Sequence, residues 1–277
     1  MRNGGLGFAA MLLLAACSPS SEQSASEQAA GNASANAAAS RYADRMSGTP
    51  QPPPPAKAFA LAEKNDFLEF AYAYPGQAAA IPALVDKFGK EAASAKADAL
   101  KMAKDDSAAA KKSGFPFRAH SLDRKWSVEA DTPRFLSLES QTYVYTGGAH
   151  GMTGYDVVLW DRARHRETSV KALMTTPAAF ATAIREPFCK ELDRQRAEKR
   201  GAPVVRGDDP FTQCIDPMAE VIVPTSKDGK LIDAMTVVVG PYSAGPYAEG
   251  SYDVVLPIDA AMRKAIKTEY QDGFAGK

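Results

Sequence analysis

The chain has 277 residues and carries 33 Lys plus Arg against 33 Asp plus Glu, a formal net charge of zero. Net charge therefore implies no nucleic-acid or anionic-surface partner. With three Cys and three His in all, metal and thiol chemistry is confined to a handful of positions.

Arg2 supplies a minimal positive start, and an apolar segment follows from Leu6 to Ala16. About a dozen apolar residues are too few to span a bilayer as a mature helix but suit a secretory signal. The segment closes with Leu14-Ala15-Ala16-Cys17, which resembles the lipobox of bacterial lipoproteins. That resemblance implies a signal peptide over residues 1–16 and a lipid anchor on Cys17. The alternative is an ordinary signal peptide with an incidental Cys17. Ser18, rather than Asp, after the Cys implies a cell-envelope location at the outer membrane, facing the periplasm. Residues 17–56 are rich in Ser, Ala and Pro and lack the large apolar groups that offset ordering entropy, so they are expected to form a tether. No later stretch is apolar enough for a membrane span. Residues 57–277 remain for one large domain or two small halves sharing a core, roughly 57–165 and 166–277.

Within that part, Leu68, Phe70, Tyr72 and Tyr74 alternate with smaller or charged residues and predict a strand over 66–74, ended by Pro75-Gly76. From Ile81 the apolar period becomes helical, through Leu84, Val85, Phe88, Ala92, Ala95 and Ala99. This predicts a long helix over about 79–111, closing near Ser113-Gly114. Strands are expected over about 115–130, 135–145 and 155–161. In the second of these only one face is fully apolar at its start, so the sheet is expected to have an exposed side. Thr176-Pro177 reads as N-cap and first helical residue. Phe180, Ile184, Phe188 and Leu192 then recur every four residues, predicting a helix to about Arg200 with a kink at Pro187. Two strands flank the turn Asp228-Gly229, another covers 251–256, and Pro257-Ile258-Asp259 opens a last helix to about Gln271. Strands broken by three helices without βαβ alternation indicate an α+β fold with a mixed or antiparallel sheet. Cys189 and Cys214 are expected to form one disulfide, because an exported chain folds in an oxidising compartment and no His lies near either.

Three stretches stand out in this order: Tyr74-Pro75 before the long helix, "YTGGAHG" over 145–151, and "GPYSAGPYAEGSYDVVLP" over 240–257. Together with the intervening disulfide they resemble the RsiV-like extracytoplasmic module. That module consists of two adjoining domains of unknown function, found in a lysozyme-binding anti-sigma factor and ahead of a peptidoglycan deacetylase domain. The resemblance covers about residues 60–270 and implies one compact α+β unit with a partner-binding surface. It does not carry over sigma-factor signalling, because no sigma-binding segment or transmembrane helix is read. Nor does it carry over deacetylation, because His120, His150 and His165 lack the paired spacing of metal ligands. No cofactor or metal is expected.

Candidate contact residues are Tyr145, Gly147, Gly148, His150 and Gly151 in one loop and Tyr242 and Tyr247 in another. Glycines permit positive φ or a close backbone approach, and tyrosines offer rigid, half-apolar contact area. The competing expectations are a plain hairpin tip for the first loop and a structural corner with buried tyrosines for the second. The charged run "KELDRQRAEKR" over 190–200 reads as a solvated helix face, and Trp126 and Trp160 as core. The resulting expectation is a non-catalytic envelope lipoprotein that binds lysozyme or a peptidoglycan fragment. The rival expectations are a cell-wall hydrolase using His150 as general base and a purely structural envelope component.

Overall fold

The computed structural model describes residues 56–276. The expected signal peptide, Cys17 and nearly all of the expected tether lie outside the described residues. Among the described residues no helix is long and apolar enough to cross a membrane.

A strand not expected from the sequence, β1 (Phe59–Lys64), opens the fold and pairs antiparallel with β2 (Leu68–Tyr74). Its alternation is short and its residues mostly exposed, which is why the pattern is faint. On β2 the alternation is strong, and Leu68, Phe70, Tyr72 and Tyr74 are all buried. A single helical turn, α1 (Gly76–Ala79), leads into α2 (Pro82–Ser113). Pro82 occupies the first turn, where a missing N–H costs nothing, and Gly114 closes the helix in the left-handed region at φ 73°. The helix lays Leu84, Phe88 and Ala92 against Trp126, Leu136, Leu138, Val158 and Trp160 of the sheet.

After α2 the chain forms β3 (His120–Asp131), β4 (Phe135–Tyr145), β5 (Met152–Asp161) and β6 (Arg166–Thr168). These complete a six-stranded sheet in the order β1-β2-β3-β4-β5-β6. Its only parallel pair is β2 with β3, and α2 is the crossover that a parallel connection requires. The segment 115–119, expected as strand, lies outside β3, whereas β5 starts three residues earlier than expected. A short helix, α3 (Val170–Leu173), precedes α4 (Pro177–Arg200), whose N-cap Thr176 accepts a hydrogen bond from the Ala179 N–H at 3.1 Å. The helix α4 continues through Pro187.

The remaining strands, β7 (Val221–Thr225), β8 (Ala234–Val239) and β9 (Tyr252–Pro257), make a second, antiparallel sheet. The last helix, α5 (Ala260–Lys264), is shorter than expected and is followed by a 3-10 turn over Thr268–Gly273. Phe180, Ile184, Phe188 and Leu192 of α4 pack on Met235, Val237, Val239, Val254 and Leu256 of this sheet. On the other side β7 lies against β3, β4 and β5. The fold is thus α+β, with α2 on one face of the first sheet and the second sheet, backed by α4, on the other.

That stacking corrects the expected exposed side of the first sheet. Phe135 and Ser137, on the face opposite Leu136, are buried too, so the start of β4 is covered on both faces. Only towards its far end does this face reach solvent, at Gln141 and Tyr143. Half-way along sits Glu139, half-buried, with Glu129 on β3 and Asp253 on β9 nearby. Burial first, then these two carboxylates, raise its carboxyl to about 7.

The sign of the pH effect follows. An unfolded Glu titrates near 4.3, so between roughly 4.3 and 7 the folded protein holds more protons than the unfolded chain. Stability fully present below that window is lost as pH rises through it. Solvent screening of a half-exposed carboxyl limits the loss to about 1–2 kcal/mol. Glu139→Gln is therefore expected to melt about 3–6 °C above the wild type at pH 8, with the difference vanishing near pH 4. Identical melting curves at pH 8 would show that Glu139 ionises there without cost.

Candidate functional site

The hairpin joining β4 to β5 spans 146–151, and its glycines answer to two separate demands. Gly147 takes φ 89°, which side chains resist. Gly151 is buried, and a Cβ there would overlap the Tyr143 ring. Ala149 and Gly148 are exposed. His150 turns back on its own chain, placing Nδ1 2.9 Å from the Gly151 carbonyl. With its proton on Nδ1 the imidazole donates there, and Nε2 is left to accept.

The acceptor is met by the other loop. Tyr242 Oη lies 3.4 Å from His150 Nε2, a long contact across 92 positions of sequence. The Tyr247 ring stacks on the imidazole with centroids 3.8 Å apart and planes 19° apart. Tyr242 and Tyr247 are themselves 5.7 Å apart between centroids. Tyr242 is 47% exposed, so the expected corner of fully buried tyrosines is not what forms. Its backbone has φ 70°, a left-handed conformation unusual for an aromatic residue. Strain of this kind persists only where surrounding structure dictates it.

The segment that follows Tyr242 is held by α4. The every-fourth stripe Phe180, Ile184, Phe188, Leu192 continues into Arg196 and Arg200, and these two cations follow it inwards. Arg196 is fully buried and donates from Nε to the Ala244 carbonyl at 2.9 Å. It also reaches the Gln213 carbonyl, 2.8 Å away and next to the disulfide, and Asp193 at 3.3 Å. Arg200 grips Glu249 through two nitrogens, at 2.8 and 2.9 Å, a bidentate pairing. Lys199 donates to the carbonyls of Glu249 and Ser251, both at 2.6 Å.

Burial would raise the Glu249 carboxyl, but Arg200 and the Tyr252 hydroxyl outweigh it and hold it below the usual range. The Tyr252 hydroxyl, bonded to that carboxylate, is pushed up to about 12 by burial and then by Glu249. At the other end of the loop, burial raises the Glu220 carboxyl while Ser243 and the Gly240 N–H, both bonded to it, oppose the rise. The charged run over 190–200 is thus solvated only in part: Arg194 pairs with Glu191 and Glu198 outside, while Arg196, Lys199 and Arg200 clamp the 244–251 segment. Their spacing from Leu192 was the signal in the sequence.

The disulfide joins Cys189 to Cys214 as expected. Tyr145 stands apart from the aromatic cluster. Its hydroxyl takes a 3.4 Å contact from Arg118, and with His120 and Leu68 it lines an apolar slot under α2. Tyr143, by contrast, was not expected at the site yet covers Gly151 and is exposed itself. Among the described residues no group of three His, Cys, Asp or Glu side chains is placed to hold a metal ion.

Residues 61–153 match a protein-family profile described as "Deacetylase PdaC". The match contains the hairpin with His150 but ends before the segment that supplies Tyr242 and Tyr247. Among solved structures, the chain is similar to a DUF3298 family protein from Pseudomonas aeruginosa PAO1. That pair has 16% identity and a TM-score of 0.54, covering 81% of this chain and 99% of that one. A DUF3298 family member from Bacteroides fragilis has 17% identity and a TM-score of 0.47, covering 78% and 94% respectively. No curated protein matches the chain. The chain therefore carries a segment similar to the PdaC family over residues 61–153, in a fold like that of a DUF3298 family protein.

Proposed function

We propose that this protein is a non-catalytic, lipid-anchored envelope module that binds a macromolecular partner through the His150, Tyr242 and Tyr247 cluster. The observation that carries the reading is the convergence of two remote loops into one partly exposed aromatic group. A strained Tyr242 and an inward-turned set of cations are what the fold spends to hold it there. Stacked tyrosines and an imidazole give rigid contact area at low entropic cost, suited to a protein surface or to sugar rings. Engagement of both His150 nitrogens favours recognition over proton transfer. The RsiV-like motifs at 145–151 and 240–257 point to lysozyme as partner, with a peptidoglycan fragment as the second candidate. Cys17 would tether the module to the outer membrane, facing the periplasm.

Calorimetric titration against c-type, g-type and i-type lysozymes and soluble muropeptides tests this. His150→Ala and Tyr247→Ala are each expected to weaken the partner's binding by about 30-fold, a hot-spot effect near 2 kcal/mol. Unchanged affinity in both variants, with circular dichroism intact, would remove the site assignment. No heat with any of these ligands would overturn the proposed partners.

A further inference from the structure

The first strand of the sheet is an open edge. Among the described residues nothing pairs with the outer side of β1, and Phe59, Ala60, Ala62, Glu63 and Lys64 are exposed along it. Beside it runs an apolar groove of about 530 Å³ between β1 and α2, lined by Phe59, Leu61, Gly89, Ala93, Ala97 and Leu100. The groove exists because α2 presents small residues there. Phe59 remains 39% exposed although it stacks on Tyr74. An unprotected edge next to an apolar groove invites an added strand.

The occupant is written in the strand itself. Residues 57–63 read Lys-Ala-Phe-Ala-Leu-Ala-Glu, a pattern complementary to its own reverse about Ala60. Set two copies antiparallel with Ala60 facing Ala60, and Phe59 meets Leu61 of the second copy on the α2 side. On that same side Lys57 meets Glu63 of the second copy, so the apolar centre is closed at both ends by an opposite-charge pair. The other face holds only Ala58, Ala60 and Ala62, which allow close approach. We infer that β1 is a self-association edge: two copies of this chain pair antiparallel through residues 57–63, joining their six-stranded sheets across a two-fold axis. Phe59 and Leu61 of each copy then fill the other's groove. Lys64, just past the pairing segment, limits further strand addition, as edge lysines do. This inference does not rest on the aromatic cluster.

Sedimentation of the purified full chain, over about 1 to 100 µM, is expected to show a monomer–dimer equilibrium. Glu63→Lys sets two lysines against each other at each end and is expected to weaken the dimer at least about tenfold. Adding Lys57→Glu to that variant is expected to restore it. Glu63 also pairs with Lys96 of its own chain at 2.5 Å. That contact is lost in both variants, so their difference reports the intermolecular pair. In a Cys17→Ser background, Ala60→Cys should form a disulfide-linked dimer on air oxidation and Ala62→Cys should not. A protein monomeric throughout the range, whether or not an extended peptide occupies the edge, would overturn the proposal. Equal crosslinking at positions 60 and 62, or no recovery in the charge swap, would do so as well.

Discussion

Replacing Arg196 by alanine is expected to destabilise the protein by about 3–5 kcal/mol, the usual cost of removing one member of a buried charged network. The side chain is fully buried, and its Nε and Nη1 serve Ala244, Gln213 and Asp193 together, while Nη2 is buried without a partner among the described residues. Truncation takes the donor from the Gln213 carbonyl, leaves the Ala244 carbonyl only the 3.3 Å contact from Arg200, and opens a cavity where the guanidinium lay. Asp193 keeps a second partner in Arg206, so the loss falls chiefly on the 244 and 213 segments. Arg196→Lys should recover only part of the stability, because an ammonium on a flexible stem cannot reproduce the planar fork. Thermal melts of the three proteins decide this. A change below about 1 kcal/mol in the alanine variant would mean that the loop is held without the clamp.

Loss of the Cys189–Cys214 disulfide is the second large effect. The bridge spans 25 positions, and closing a loop of that size contributes about 3–4 kcal/mol in the chain-entropy treatment. For a domain of this size that corresponds to about 10 °C in melting temperature. The consequence should not stop at stability. Gln213, adjacent to Cys214, accepts from Arg196, so the disulfide, the clamp and the 240–251 loop form one connected structure. A Cys189→Ser/Cys214→Ser variant is therefore expected to melt lower and to bind the partner more weakly even at temperatures where it stays folded. If partner affinity were untouched while the melting point fell, the disulfide would stabilise α4 without organising the aromatic cluster.

Both effects meet at a place where the sequence was informative in an unequal way. The Gly147–Gly151 hairpin was legible because β4 and β5 alternate strongly on either side and glycine marks the tip. The aromatic stretch over 240–250 was legible as a dense run of Pro, Gly and Tyr. Their meeting was not legible, since a contact across 92 positions depends on how β9 and α4 stack beneath the loop. The cations of α4 were misread as solvated for a related reason. Helical spacing placed Arg196 and Arg200 on the apolar stripe, but composition alone favoured solvent for charged groups.

By itself the sequence determined the α+β class, the two long helices with their Thr176 cap and Gly114 stop, the strands from β2 onwards except the short β6, and the cysteine pair. Each rests on local periodicity, a cap or a small count of candidates, all of which act over a few residues. Tertiary structure alone decided that the strands divide into two sheets, that the second sheet covers the start of β4 and that Glu139 is caught between carboxylates. It also decided that β1, faint as a pattern, becomes an open edge, and that Tyr242 is held in a left-handed conformation above His150. These are outcomes of layer packing, in which a side chain's surroundings come from residues far away in the chain. No window of neighbouring residues contains that information.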